Sequence, residues 1–112
     1  MSKLDDMAMK VASNYPSKNG EAALDPSMIP VIIEVIGNLV TLFKQCNKTP
    51  GEALKSSKNP SRWEKIALNT AVRRQVGFRQ FRREGDELVA ALMSSAATTT
   101  EKDIKELYDE VD

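Results

Sequence analysis

Residues 29–48 read IPVIIEVIGNLVTLFKQCNK, and their periodicity decides the fold class. Placed at about 100° per residue, Ile29, Val31, Ile32, Ile33, Val35, Ile36, Leu39, Val40, Leu42, Phe43 and Cys46 fall within an arc of about 200°. Pro30, Glu34, Gly37, Asn38, Thr41, Lys44, Gln45 and Lys48 occupy the remainder. The steps from Glu34 to Asn38, Thr41 and Gln45 (4, 3, 4) are helical, which overrides the strand preference of Val, Ile and Phe. A lone surface helix carries an apolar stripe of little more than 100°. A wider arc needs several neighbours, from the same chain or from another. The expectation is an all-α fold, a compact bundle of about five helices around a central hydrophobic helix at 29–46.

Outward from that helix, local signals mark the other elements. Leu4, Met7, Ala8 and Val11 share one helical face and predict a short helix over residues 2–13. Residues 14–25, with Asn19-Gly20 and Pro16, read as a surface loop. Asp25-Pro26 is a plausible helix start. Thr49-Pro50-Gly51-Glu52 has the form of a capping box with Pro at the first helical position. Ser61-Arg62-Trp63-Glu64 is a second such box, opening a helix toward Glu84 that places Trp63, Ile66, Ala67, Thr70, Phe78 and Phe81 on one side. Gly77 is a point of interruption, and Gly85 an expected C-cap before a helix carrying Leu88, Val89, Leu92 and Met93. Residues 94–100 read as a small-polar linker. Thr100 and Asp103 then start a C-terminal helix over 101–111, bearing Ile104, Leu107, Tyr108 and Val111. The 112 residues form one domain, large enough to fold without disulfide or metal.

Composition removes several chemistries. The chain has no His and a single Cys, Cys46, so an internal disulfide, a thiolate zinc site and every His-based catalytic arrangement are excluded. Gly51-Glu52-Ala53-Leu54-Lys55-Ser56 lacks the second Gly and the spacing of a phosphate loop, and it follows a helix rather than a strand. Cys46 sits at the C-terminal end of its helix, where the dipole opposes a thiolate, so an inert or packed thiol is expected. Glu34 and Asn38 belong to the solvent stripe. No enzyme, metal, cofactor or small-molecule ligand is inferred. The longest apolar run falls short of the roughly 20 residues of a membrane span. The start Met-Ser-Lys-Leu-Asp-Asp lacks a signal-peptide pattern, and the expected address is cytoplasmic.

Charge is segregated along the chain. Residues 1–43 carry a net −2, residues 44–83 a net +9 and residues 84–112 a net −7, summing to zero. Arg73, Arg74, Arg79, Arg82 and Arg83 lie close together with Phe78 and Phe81 among them, a composition suited to phosphates and bases. On a continuous helix, however, those five Arg scatter around nearly the whole circumference, whereas a groove-binding helix gathers its cations on one side. Ser61-Arg62-Trp63-Glu64 also occurs in some helix-turn-helix recognition helices, but a capping box accounts for its Ser and Glu without DNA.

The functional expectation is therefore a non-enzymatic helical interaction or assembly protein, self-associating or docking on a protein partner. Its Arg would pair with the acidic C-terminal third or with a partner chain. A small structural or accessory protein of a virus or a bacterium would suit this pattern. The alternative is a small nucleic-acid-binding accessory protein working through residues 62–83. Ile32, Val35, Ile36, Leu39, Val40, Phe43, Trp63, Ile66 and Phe81 are the expected core or interface residues. Placing Asp at Ile36 or Leu39 is expected to unfold the domain or detach a subunit, because a carboxylate would replace apolar surface on the broad arc. An unchanged melting temperature and an unchanged light-scattering mass would contradict that assignment.

Overall fold

A computed structural model of the chain describes residues 2–14, 29–80 and 85–111, apart from the side chains of Val76, Phe78 and Gln80. These residues form six helices, one more than the approximate five expected: α1 (Lys3–Ser13), α2 (Ile29–Gln45), α3 (Pro50–Lys58), α4 (Arg62–Gln80), α5 (Asp86–Ala96) and α6 (Glu101–Glu110). No strand occurs among the described residues. Most of the 14–25 loop and the Asp25-Pro26 start lie outside them.

The helix starts follow from capping chemistry. Ser2 Oγ accepts from the Asp5 amide at 3.1 Å and opens α1. At α3 and α6 the reciprocal pairs form in full: Thr49 with Glu52 (3.2 and 3.0 Å) and Thr100 with Asp103 (3.2 and 2.9 Å). Ser61 and Glu64 do the same at α4, at 3.4 and 2.9 Å. Each box satisfies two amides that a helix start otherwise leaves without partners.

Enclosure of α2 organises the packing. Of the eleven apolar residues on its arc, Ile32, Val35, Ile36 and Val40 are buried, six are half-buried and only Cys46 is exposed. Pro30, Glu34, Asn38 and Gln45 face solvent on the opposite side. Three neighbours, α1, α4 and α6, supply the cover, as a wide arc requires. α1 also touches α5 and α6, while α3 lies on α5 and α6. Met7, Ala8, Val11, Leu68, Val72, Leu88, Ala91, Ile104 and Leu107 complete a single core cluster.

The acidic C-terminal helix docks on the N-terminus. Lys3 Nζ lies 2.6 Å from Asp103 and 3.3 Å from Glu106. The Glu110 carboxylate accepts from the Lys3 and Leu4 amides, placing a negative charge at the positive end of α1. Lys44 of α2 donates to the carbonyls of Tyr108 and Val111, so a cation sits where the α6 dipole ends. Asp103, Glu106 and Glu110 thus turn to α1, where the charge pattern alone pointed to the basic block.

Three expectations change. Residues 94–96 belong to α5, so the 94–100 linker shrinks to 97–100. Ser95 and Thr99 are buried, with Ser95 Oγ donating to the Ala91 carbonyl (2.8 Å) and Thr99 Oγ1 to the Ser95 carbonyl (2.8 Å). Their hydroxyls, satisfied locally, carry no desolvation debt, so small polar residues that resemble a linker can pack. Asn14 and Lys10 of the α1 side then reach Ser95 (3.2 Å) and Thr99 (3.2 Å).

The second change concerns glycine. Gly85 has φ −59° and precedes α5 as its N-cap, whereas the left-handed glycine is Gly77, φ +78° and ψ 164°. The third change follows from it. The helical phase of residues 62–76 does not run on past the break at Gly77. The buried residues of α4 are Leu68 and Val72, and the predicted stripe of Trp63 and Ile66 is exposed.

A Cβ at Gly77 would meet nothing within 4 Å, so the obstacle to substitution is conformational alone. Gly77→Ala is expected to cost about 1–3 kcal/mol of stability in urea unfolding. A neutral or stabilising result would show that the break is not maintained by this residue.

Candidate functional site

The site begins at the end of α2. Asn47 adopts φ +56°, the Lys48 amide donates to the Phe43 carbonyl and the Asn47 amide to the Lys44 carbonyl, both at 3.0 Å. That pair of bonds is a Schellman C-cap with Asn in the left-handed position. The tight turn leaves Lys48 beside α3 and α4. Its Nζ lies 2.9 Å from Glu64 and donates to Ser56 Oγ at 3.0 Å, while Ser56 Oγ donates to Glu64 at 2.7 Å. The Lys48 carbonyl accepts from the Tyr108 hydroxyl at 3.0 Å, tying α6 to the same turn. An Asn directly after the last periodic residue is a recognisable stop signal. The pairing across α2, α3 and α4 has no sequence signal, because 8 residues separate Lys48 from Ser56 and another 8 separate Ser56 from Glu64.

Beside this staple opens an apolar cleft of about 260 Å³. Leu39, Leu42 and Phe43 of α2, Trp63 and Ala67 of α4, and Leu92 of α5 contribute to its walls. Ile104 and Leu107 of α6 also line it. Protein interiors hold few voids larger than a water molecule. In a closed core, unfilled volume costs roughly 24 cal/mol per Å³. For about 260 Å³ the ceiling is about 6 kcal/mol, on the scale of a small domain's net stability. Opening to solvent relieves part of it, since water can enter.

The chain nevertheless closes around an ordinary radius of gyration, 13.2 Å, against about 13 Å expected for this length. The cleft is a notch in a finished body.

The expected interface residues divide around it. Ile32, Val35, Ile36 and Val40 belong to the core, and Ile36 and Val40 reach the cleft. Leu39 and Phe43 are half-buried on its wall. Trp63 lines the cleft yet leaves 79% of its surface open, and Ile66 beside it is 46% exposed. Both are therefore surface residues and not core. Arg73, Arg74 and Arg79 are exposed, the last beyond the break at Gly77. Phe81, Arg82 and Arg83 lie outside the described residues.

The Ser56–Lys48 contact has the outline of a serine–lysine pair, but its electrostatics run against nucleophile activation. A lysine base must be neutral, whereas the hydrogen bond that the Lys48 ammonium donates to the Glu64 carboxylate holds its pKa above the usual value. Glu64 is a poor base as well. The Ser56 hydroxyl first, then the Ser61 amide and Lys48, hold its carboxyl down to about 2. The arrangement is a structural staple between two helices. Cys46, expected to be an inert or packed thiol, is exposed at the cleft edge and so is not packed. Among the described residues, no group of three or more His, Cys, Asp or Glu gathers as metal ligands, and no helix is long and apolar enough to cross a membrane.

No family model, curated protein or solved structure matches this chain.

Two carboxylates predict the acid response. Asp103 is also held down to about 2, chiefly by Lys3 and then by the Thr100 amide. The ordinary values are 4.5 for Glu64 and 3.8 for Asp103. A carboxyl depressed in the folded state stabilises it fully above the unfolded value and loses that contribution as pH falls toward the folded value. Stability measured in urea is therefore expected to decline from about pH 4.5 to about pH 2. Glu64→Gln should reduce that slope while lowering stability at neutral pH. A slope identical to the parent would show that the Glu64 contacts do not form in solution.

Proposed function

We propose that this chain is a non-enzymatic helical interaction protein that receives an apolar segment of a protein partner in the cleft between α2, α4 and α5. The single observation carrying this reading is Trp63, four-fifths open to solvent on the rim of a half-open apolar cleft of about 260 Å³. Trp is the residue most enriched among interface hot spots, and its hydrophobic surface gains most when a partner removes it from water. Helix-in-groove recognition uses this combination of an apolar trough and flanking anchors.

A second reading, nucleic-acid binding through residues 62–83, draws support from the break at Gly77. Once α4 stops being continuous there, Arg79 no longer shares its helical phase. Arg62, Arg73 and Arg74 are then left on the exposed arc with Trp63. A single exposed aromatic is a short stacking platform compared with the successive aromatics of single-strand binders, and the protein reading is the stronger.

A solvatochromic apolar dye probes the cleft directly. The folded protein is expected to bind 8-anilinonaphthalene-1-sulfonate and quench its one tryptophan, Trp63. Ala67→Phe places a ring in the cleft; it should abolish the dye signal and stabilise the fold by about 1 kcal/mol, in the range of cavity filling. Dye uptake unaffected by the substitution would contradict the reading.

A further inference from the structure

We infer that the cleft is also a binding site for one hydrocarbon chain, that of a free single-chain amphiphile of about ten carbons. This goes beyond the docking reading and does not depend on it. It names a small-molecule ligand, a class that the sequence does not announce.

The lining joins the surface to the core. Trp63 and Cys46 stand exposed at the mouth, whereas Met7, Val11, Ile104 and Leu107 are at most 9% exposed and form the floor. An occupant can therefore reach from water into the centre of the domain. The cleft has a wet end and a dry one.

Nothing polar in the lining is left for a guest. The hydroxyls of Ser56, Ser57, Ser95 and Thr99 each donate within the protein, the first to Glu64 and the others to the carbonyls of Ala53, Ala91 and Ser95. The charged lining residues, Lys48 and Glu64, meet each other at 2.9 Å. Among the described residues no buried side-chain nitrogen or oxygen lacks a partner. A guest carrying a polar atom to the floor would give up its water with nothing in exchange. The floor therefore accepts hydrocarbon only, and the polar end of any guest stays at the mouth.

Volume sets the size of that hydrocarbon. An apolar cavity of about 150 Å³ stays dry and takes one benzene, with its six carbons. In proportion, the cleft of about 260 Å³ holds about ten carbons. That is one chain of moderate length, and a two-chain membrane lipid exceeds it. Because the chain and a partner's apolar segment use the same cleft, a bound chain excludes the segment. The ligand thereby regulates docking.

The test titrates the full chain with hexanol, octanol, decanol and dodecanol, with Trp63 emission reporting binding. Affinity is expected to rise about fourfold per methylene as far as decanol and then to level off. Decanoate and decyltrimethylammonium are expected to match decanol within about threefold, because their heads remain in water. Ala67→Phe fills the cleft and should weaken decanol by at least about tenfold, whereas Leu42→Ala enlarges it and should move the levelling point to dodecanol or beyond. If circular dichroism shows that one variant fails to fold, the other is read, and the alkanol series on the parent chain needs neither.

Affinity indifferent to chain length, or rising without a break through dodecanol, overturns the inference. Failure of the alkanols while the dye still binds overturns it and leaves the docking cleft standing, and failure of both removes both. A preference of more than about tenfold for one charged head overturns recognition through the chain alone. Co-sedimentation with phosphatidylcholine vesicles shows that the chain is drawn from a bilayer and overturns the free amphiphile.

Discussion

The apolar circumference of α2 is the constraint on which the rest of the structure depends. Ile32, Val35, Ile36 and Val40 need cover on more sides than one neighbour can give. α1, α4 and α6 each take a sector. The buried side chains they bring are aliphatic or Met: Met7, Ala8 and Val11 from α1, Leu68 and Val72 from α4, Ile104 and Leu107 from α6. Aromatic bulk to fill the remaining sector is scarce. The chain has one Trp, two Tyr and three Phe. Ile32, Val35 and Ile36 are buried, whereas Leu39, Leu42 and Phe43 are half-buried where the cleft opens.

Polar contacts decide where that incompleteness is held. The turn at Cys46–Lys48 redirects the chain through a left-handed Asn, and Lys48 then joins Ser56 and Glu64. Glu64 serves two purposes at once, closing the capping box of α4 and anchoring the Lys48 staple. A surface ion pair by itself contributes little. A carboxylate fixed by a hydroxyl, a backbone amide and an ammonium is better ordered, and it sets the position of the first turn of α4. Trp63, adjacent to Glu64, lies in that turn and lines the cleft with 79% of its surface open.

Charge segregation along the chain acquires a spatial meaning in the fold. The acidic end is partly consumed inside the molecule, by Lys3, by the α1 amides and, through carbonyls, by Lys44. The cations of α4 face outward beside Trp63 and Ile66. Net neutrality of the whole chain thus coexists with exposed cations on α4 and with acids of α6 engaged on α1. An interaction role fits that distribution of charge and apolar surface.

Much of the architecture was legible one residue at a time. Helix starts at Thr49, Ser61 and Thr100 depend on contacts three residues apart, so the sequence alone determines them. The same is true of the amphipathic arc of α2 and the all-α class. What required the tertiary structure was the facing of α4, the status of Ser95 and Thr99, and the existence of the cleft. A break at Gly77 ends the helical phase that the sequence carries onward from Trp63, and buried hydroxyls that bond within their own helix look like linker residues in the sequence. Volume left between helices depends on how several side chains from distant segments fill one space. Local periodicity carries no information about that sum, and so the place where this protein remains open was decided only when α2, α4, α5 and α6 came together.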